Sequence, residues 1–263
     1  CEAIAVYFYT KKQDCEVSIN ISPSEVWPKG AGNDDKTTAT IMVTATNPPP
    51  EGCTINFKVE PVENSGGHSH HDDSRRKGTV TPPTLTIPAG SLEPVYALYS
   101  SSDISGQEKI IVEVNGSKAD EKMIEVKVPD LMPLDSLSWY NLTGADAISS
   151  HPANHYGTNS TKVAVYNMAS DYWNEIRTRL GINDMSLEWG GLFDVNENWS
   201  SPHSLHRTGE SVDIDRCADG VLVNQKRLDK IALRYDGERI VEEALRPPPC
   251  SGPADTPRIH YEF

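Results

Sequence analysis

The first half of the chain alternates apolar and polar residues in short runs. Seven such runs lie between residues 16 and 128, at 17–21, 38–46, 54–59, 85–87, 95–98, 109–114 and 123–128. A period of two is typical of half-buried β-strands, and the segments between the runs are rich in the proline, glycine and asparagine residues of turns. Nothing between the runs has the period or length of a helix. The pattern predicts an all-β sandwich of two packed sheets.

The pattern changes near residue 129, where two prolines fall close together and indicate a linker. Two later stretches carry apolar residues at helical spacing, 161–180, ended by Gly181, and 225–234. Three short runs fit strands, 186–189, 211–215 and 258–263. We therefore expect two domains, an all-β sandwich over 1–128 and a small α+β domain with an antiparallel sheet over 129–263. Residues 1–15 would be the remnant of a preceding segment.

Composition limits the classes of partner. The chain has 38 acidic and 24 basic residues and a formal net charge of −14, which excludes a nucleic-acid partner bound through a basic surface. No run approaches the roughly 18–20 apolar residues of a transmembrane helix, and the N-terminus lacks the regions of an uncleaved signal peptide. The sequence thus predicts a globular protein without a transmembrane segment.

The five cysteines are placed for local pairing. Cys15–Cys53 and Cys217–Cys250 would each close a loop within one half of the chain, in an oxidising compartment. The protein is therefore expected outside the cytoplasm, as a secreted, periplasmic or cell-surface protein. Cys1 is left over. It would be either the acylated residue of a lipoprotein or a truncation point, and truncation is favoured because a strand-like run follows it directly.

The densest group of polar residues lies at 202–215 and suggests a metal site. Imidazole and carboxylate groups are ligands suited to Zn²⁺, and Gly209 allows a tight bend that would bring His206 over the strand that carries Asp213. In that strand Asp213 lies on the face opposite to the core residues. His260, in the last predicted strand, is the candidate for the third ligand, and a catalytic zinc keeps a fourth position open for water.

These residues resemble a known family. The segment 204–214 is similar to the S-x-H-x-x-G-x-x-V/A-D signature of the LAS metallopeptidases, which include penicillin-insensitive murein endopeptidase and the zinc D-Ala-D-Ala carboxypeptidases and dipeptidases. Upstream, 155–157 and 183–191 are similar to the murein endopeptidase pattern. The resemblance covers roughly residues 150–263. It implies zinc bound by His206, Asp213 and His260.

The general base departs from the family pattern. Family members carry a histidine two positions before the last ligand or a glutamate three positions before it. Here Arg258 and Pro257 occupy those positions. Glu262, on the same strand face as His260, is the first substitute to activate water, and Glu210 and His203 are weaker substitutes. Arg258 is suited to bind a substrate carboxylate through its planar guanidinium.

The N-terminal half resembles bacterial immunoglobulin-like (Ig-like) domains of the invasin and intimin kind. The resemblance rests on residues 21–26 followed by the alternating strand at 37–46. Such domains act as surface spacers or adhesive modules, which would give the chain cell-surface proteins as further partners.

Three functions remain open. The first is an extracytoplasmic zinc peptidase that cuts peptidoglycan stem peptides, with the Ig-like module as a spacer. The second is a non-catalytic surface adhesin or spacer, with an inactive LAS-like domain that still binds metal. The third is a carbohydrate-binding module, for which Trp139, Trp189 and Trp199 are the aromatic candidates. The histidine-rich run at 66–73 is expected to be a solvated loop, and His151 and His155 to be loop structure.

Overall fold

The computed structural model describes residues 15–68, 75–144, 153–194, 199, 204–240, 250 and 258–263. The first part of the chain folds into two β-sheets. Its strands are β1 (Val17–Ser22), β2 (Glu25–Val26), β3 (Thr38–Ala45), β4 (Cys53–Pro61), β5 (Thr79–Thr81), β6 (Thr84–Ile87), β7 (Val95–Ser100), β8 (Gly106–Val114) and β9 (Ser117–Val126). One sheet has the order β1-β3-β7-β5 and the other β2-β9-β8-β4-β6.

The alternation in the sequence places one face of each strand in a shared core. In β1, Val17, Ile19 and Ile21 are buried while the residues between them are exposed. Ile41 and Val43 of β3 are fully buried in the same core. Because a shift of one residue would move every apolar side chain to the solvent face, the hydrophobic pattern fixes the register. The result is a β-rich fold of the Ig-like type, as predicted.

The second part of the chain packs two helices against a five-stranded sheet of order β11-β13-β14-β18-β17. The elements are β10 (Met132–Pro133), β11 (Tyr140–Leu142), β12 (Tyr156–Gly157), α1 (Asn159–Ile176), β13 (Leu180–Ile182), β14 (Ser211–Asp215), β15 (Cys217–Ala218), β16 (Val221–Leu222), α2 (Gln225–Ala232), β17 (Glu238–Ile240) and β18 (Arg258–Glu262). Short 3₁₀ helices lie at Asp34–Lys36, Ser204–Arg207 and Leu233–Tyr235.

This sheet is mixed, so the prediction of an antiparallel sheet was wrong for one strand pair. β11 and β13 run parallel, whereas β13–β14, β14–β18 and β17–β18 are antiparallel. Parallel neighbours need a crossover connection, and α1 supplies it between β11 and β13. The sequence pattern missed both strands because each has only three residues.

Helix α1 ends earlier than the apolar spacing predicts. Thr158 caps its N-terminus by accepting a hydrogen bond from the Thr161 amide at 3.1 Å. Its C-cap is Arg177, which has the left-handed backbone conformation at φ 63°. Leu180, predicted to end the helix, is a buried residue of β13. The predicted strand at 186–189 is likewise absent, apart from a single bridge between Ser186 and Tyr156.

Two disulfides follow the predicted pairing, Cys15–Cys53 and Cys217–Cys250. They fit an extracytoplasmic protein, because such bridges persist in oxidising compartments. Cys1 lies outside the described residues. Across the described part of the chain, no helix has the length and apolar character needed to cross a membrane.

The described residues form two hydrophobic cores, one within the sandwich and one between the helices and the mixed sheet. A third, small cluster brings Ile104 of the first part of the chain against Leu192 and Trp199 of the second. We call the contact around this cluster the seam. The division into domains at residues 128 and 129 stays a prediction.

Candidate metal centre

Strands β14 and β18 bring two of the predicted ligands together. In their antiparallel ladder Asp213 pairs directly with His260. Val212 and Tyr261 form the neighbouring pair and are fully buried in the second core. Because directly opposite residues project to the same face, this packing holds the carboxylate and the imidazole side by side.

His206 reaches the same point from the 3₁₀ helix Ser204–Arg207 that precedes β14. The bend between them requires Gly209, which has φ +75° and whose Cβ would lie 2.5 Å from Leu131 Cδ2. The Ser211 hydroxyl donates to Leu205 O at 2.8 Å and lies 3.1 Å from His206 Nδ1. We infer that Ser211 Oγ accepts the Nδ1 proton, which turns the His206 Nε2 lone pair toward Asp213.

His206, Asp213 and His260 form a buried set of three potential ligands, whose donor atoms all lie within 4.8 Å of one another. His206 Nε2 is 3.4 Å from Asp213 Oδ2, and His260 Nδ1 is 2.7 Å from Asp213 Oδ1. Two ligands of a tetrahedral zinc at ordinary bond lengths are about 3.4 Å apart. His260 Nε2 is buried and has no hydrogen-bond partner among the described residues. Two imidazoles and one carboxylate, all buried and this close together, are a donor set that fits a zinc ion.

The charges within the set favour an ionised carboxylate. Burial alone raises the pKa of Asp213, but when the imidazoles of His206 and His260 are protonated, their hydrogen bonds and positive charge outweigh burial. The pKa of Asp213 is therefore held well below its usual range. An ionised aspartate at neutral pH is the form that binds a metal cation.

An ion pair between Arg258 and Asp184 borders the set, and sequence reasoning missed the role of Asp184. Arg258 Nη1 contacts Asp184 Oδ2 and lies 4.0 Å from Asp213 Oδ2. Asn154 donates to the other oxygen of Asp184 at 2.6 Å. Asp184 is held beside the set because its carbonyl oxygen accepts a hydrogen bond from the Asp213 amide at 2.8 Å. This contact lies beyond the end of β13, and no local sequence pattern predicts it.

The candidate general bases differ in their position relative to the three potential ligands. Glu262 is half-buried and pairs across the ladder with Ser211, two pairs beyond Asp213–His260 and therefore on the same face. Glu210 is exposed, and its carbonyl accepts from the Phe263 amide at 2.8 Å. His203 and Pro257 lie outside the described residues. Of the two candidate bases that the structure describes, Glu262 therefore has the position that better suits the role.

The sandwich contacts the loop that supports the His206 helix. The Gly191 amide donates to Arg207 O at 2.9 Å, and the next amide, of Leu192, donates to Asp103 O at 2.8 Å. Ser105 Oγ donates to Gly190 O at 2.8 Å. The loop is therefore hydrogen-bonded both to the helix that carries a ligand and to the sandwich.

Two sequence expectations change at the seam. His68, expected in a solvated loop, is buried, and its ring centroid lies 5.1 Å from that of Trp199. Trp199 is itself 5% exposed, so its ring is not available to stack on a sugar. His155 is buried, with Nε2 3.0 Å from Ile182 O, as expected for loop structure. Residues 69–74 and His151 lie outside the described residues.

No family model matches the chain, and no curated protein matches it. Among solved structures, it is similar to a chaperone–tip adhesin subunit complex from Csu pili of Acinetobacter baumannii, with 13% identity over 41% of this chain and 54% of that one, at a TM-score of 0.25. An alkylpurine DNA glycosylase of Pseudomonas fluorescens matches with 14% identity over 43% of this chain and 31% of that one, at a TM-score of 0.29. The chain thus spans about half or less of either. Similarities this weak carry no argument about function.

Proposed function

We propose that the protein is an extracytoplasmic zinc-dependent peptidase that cuts the stem peptides of peptidoglycan. The observation that carries the proposal is the buried set of His206, Asp213 and His260, whose donor atoms lie within 4.8 Å of one another. The similarity of 204–214 to the LAS signature supports the choice of substrate.

Each residue of the site has a separate task in this proposal. His206, Asp213 and His260 hold the metal. Bound there, zinc would act as a Lewis acid that polarises a peptide carbonyl and makes a water molecule easier to deprotonate near neutral pH. Glu262 accepts the proton of the attacking water, because it lies two residues from His260 on the same face of β18. Adjacent side chains on one face of a strand are about 7 Å apart, which a glutamate can span together with a water molecule.

Arg258 is suited to hold a carboxylate of the substrate. Its side chain is 30% exposed, so it reaches both the protein interior and solvent. Asp184 occupies one side of the guanidinium, but a guanidinium carries five N–H donors in a planar fork. The remaining donors can bind a second carboxylate. Stem peptides carry such groups, both at their C-terminus and on acidic side chains.

A second candidate function is a non-catalytic surface protein that binds metal without turnover. The observation that favours it is the ion pair of Arg258 with Asp184, because family members place a histidine base where Arg258 stands or a glutamate base where Pro257 stands. In both proposals the sandwich over 1–128 is a spacer or adhesive module. Through it the chain would contact other cell-surface proteins.

A hydrolysis assay tests the peptidase proposal. The full chain is incubated with a synthetic stem pentapeptide ending in D-Ala-D-Ala and with a cross-linked pair of stem peptides, and products are separated by liquid chromatography. An all-L pentapeptide of the same composition is the matched control. We expect cleavage of a D-containing substrate only, lost on chelation and restored by zinc. Absence of cleavage by protein with confirmed zinc would contradict the peptidase and support the non-catalytic alternative.

A further inference from the structure

A second polar cleft opens beside Arg207, the residue that follows His206. It has a volume of ≈ 690 Å³ and is bordered by the end of β7, the loop after β7 and the loop after β2. Every described residue that lines it is charged, carries a hydroxyl group or is glycine: Lys29, Gly30, Thr37, Arg76, Lys77, Thr79, Ser100, Ser101, Ser102, Asp103 and Arg207. Such a lining suits a strongly hydrated ligand and disfavours an apolar one.

The cleft is basic within an acidic protein. Four of its side chains are cationic, Lys29, Arg76, Lys77 and Arg207, whereas Asp103 is its one described carboxylate. Two of the cations share Asp103, whose Oδ2 lies 3.1 Å from Arg76 Nη2 and 3.6 Å from Arg207 Nη1. The cleft therefore keeps an excess of positive charge, although the whole chain carries −14.

Donors in the cleft are left unused. Arg207 Nε is buried and has no hydrogen-bond partner within the described part of the chain. Lys29 and Lys77 are exposed, and neither forms an ion pair with any described residue. Lysine and arginine groups that surround one cavity without a matching number of carboxylates are the usual arrangement of an oxyanion site.

Backbone contacts hold the walls of the cleft in place. The Lys29 amide donates to Ser102 O at 2.8 Å, and the Ser101 amide donates to Thr37 O at 2.9 Å. Gly30 has φ +76°, and a Cβ there would lie 3.3 Å from Arg207 Nη1. The tight turn at Gly30 thus lets the loop approach the guanidinium. A ligand would meet walls that are already ordered, which lowers the entropy lost on binding.

We propose that this cleft binds a compact divalent oxyanion of the phosphate or sulfate class, either free or as an ester. Several cations around one cavity favour a divalent over a monovalent anion. The charge of −14 repels an extended polyanion along most of the surface, but screening over about 8 Å at physiological ionic strength leaves the local cations dominant for a small ligand. The site uses none of the three metal ligands and does not depend on the peptidase proposal.

Isothermal titration of the full chain, freed of divalent metal on a chelating resin, tests the proposal. The probes are inorganic phosphate, sulfate, glycerol 3-phosphate and acetate. The test variant is Lys29→Gln/Lys77→Gln. The matched control is Lys226→Gln/Lys230→Gln, which removes the same charge from exposed positions on α2. Circular dichroism checks that all three proteins are folded.

We expect phosphate to bind with a stoichiometry of one and at least about tenfold more tightly than acetate. The test variant should weaken phosphate binding about tenfold or more, while the control should stay within about twofold of the wild type. Either a free ion or an ester satisfies the proposal, and comparing phosphate with glycerol 3-phosphate tells which is preferred. Absence of saturable binding of phosphate and sulfate would overturn it. An equal loss in both double variants would also overturn it, because it would show an effect of net charge alone.

Discussion

In the proposed mechanism, strand β18 carries a metal ligand, His260, and a proton acceptor, Glu262, on one face. The face is defined by the ladder, in which Asp213 pairs with His260 and Ser211 with Glu262. If the two tasks are divided in this way, changes at the two residues should have different consequences. Loss of His260 should remove the metal, whereas loss of Glu262 should remove only proton transfer.

Glu262→Gln should lower kcat on stem peptides by at least ~10²-fold, because it keeps the size of the side chain and removes the proton acceptor. Zinc content, measured by elemental analysis, should not change. Glu238→Gln is the matched control, since Glu238 pairs with Glu262 across the β17–β18 ladder. An unchanged rate in Glu262→Gln would exclude Glu262 as the base and leave Glu210 and His203 to be tested.

Part of this site could be predicted from single residues. Alternation along each of the two strands predicts which face Asp213 and His260 occupy, and the observed register places the two residues opposite each other. The role of Asp184 could not be predicted, because it depends on the contact of the Asp213 amide with Asp184 O beyond the end of β13. Short strands of three residues carry no periodic signal from which such a contact could be inferred.

At the scale of elements, the connection β11–α1–β13 explains why the helix boundary was mispredicted. The apolar spacing of the helix continues to Leu180, which is a buried residue of β13. A buried leucine fits a helix and a strand equally well, so the spacing does not show where the helix ends. The backbone distinguishes the two, with Arg177 at φ 63° ending the helix. The alternating pattern predicts the bounds of β3 and β14 closely. It does not predict the change from helix α1 to strand β13, because apolar residues continue across that boundary.

His155, in the segment before β12, donates a hydrogen bond from its ring to Ile182 O of β13. This buried imidazole makes a pH-dependent contribution to stability. Burial lowers the pKa of His155 below 6.5, although its hydrogen bond to Ile182 O opposes the shift. The folded state thus favours the neutral imidazole, so the stability it provides is present above about pH 6.5 and is lost as the pH falls through the lowered pKa.

We therefore expect the free energy of unfolding of the wild type to fall, relative to His155→Gln, as the pH decreases from about 7 to 5. Urea unfolding of both proteins across this range measures the difference, in which the other histidines cancel because both proteins carry them. A difference that is constant with pH, or that moves in the opposite direction, would contradict the assignment.

At the scale of the whole molecule, the sandwich supports the candidate metal centre as well as its own core. Ile104 of the sandwich packs with Leu192 and Trp199. The loop at 190–192 is hydrogen-bonded to Asp103 and Ser105 on one side and to Arg207 on the other. The position of the His206 helix thus depends on contacts from the first part of the chain.

A fragment over 129–263 should lose about 3–6 kcal/mol of stability, because removing the sandwich exposes Leu192 and Trp199. Since such a fragment can fail to fold, Ile104→Ala in the full chain provides a second test and should lower the free energy of unfolding by about 2–5 kcal/mol. Denaturant unfolding measures both. A fragment as stable as the full chain, together with no effect of Ile104→Ala, would show that the seam contributes nothing to stability and would contradict this account.

The metal content of the purified full chain tests the central claim most directly. After zinc loading and dialysis, elemental analysis should find about one zinc per chain, and none in His206→Ala/Asp213→Ala. Asp215→Asn is the matched control, because Asp215 lies two residues along the same strand face and bonds Thr143 and Asn183 instead of the two histidines. It should keep its zinc. A wild type without zinc, or a double variant that retains one zinc per chain, would contradict the metal centre.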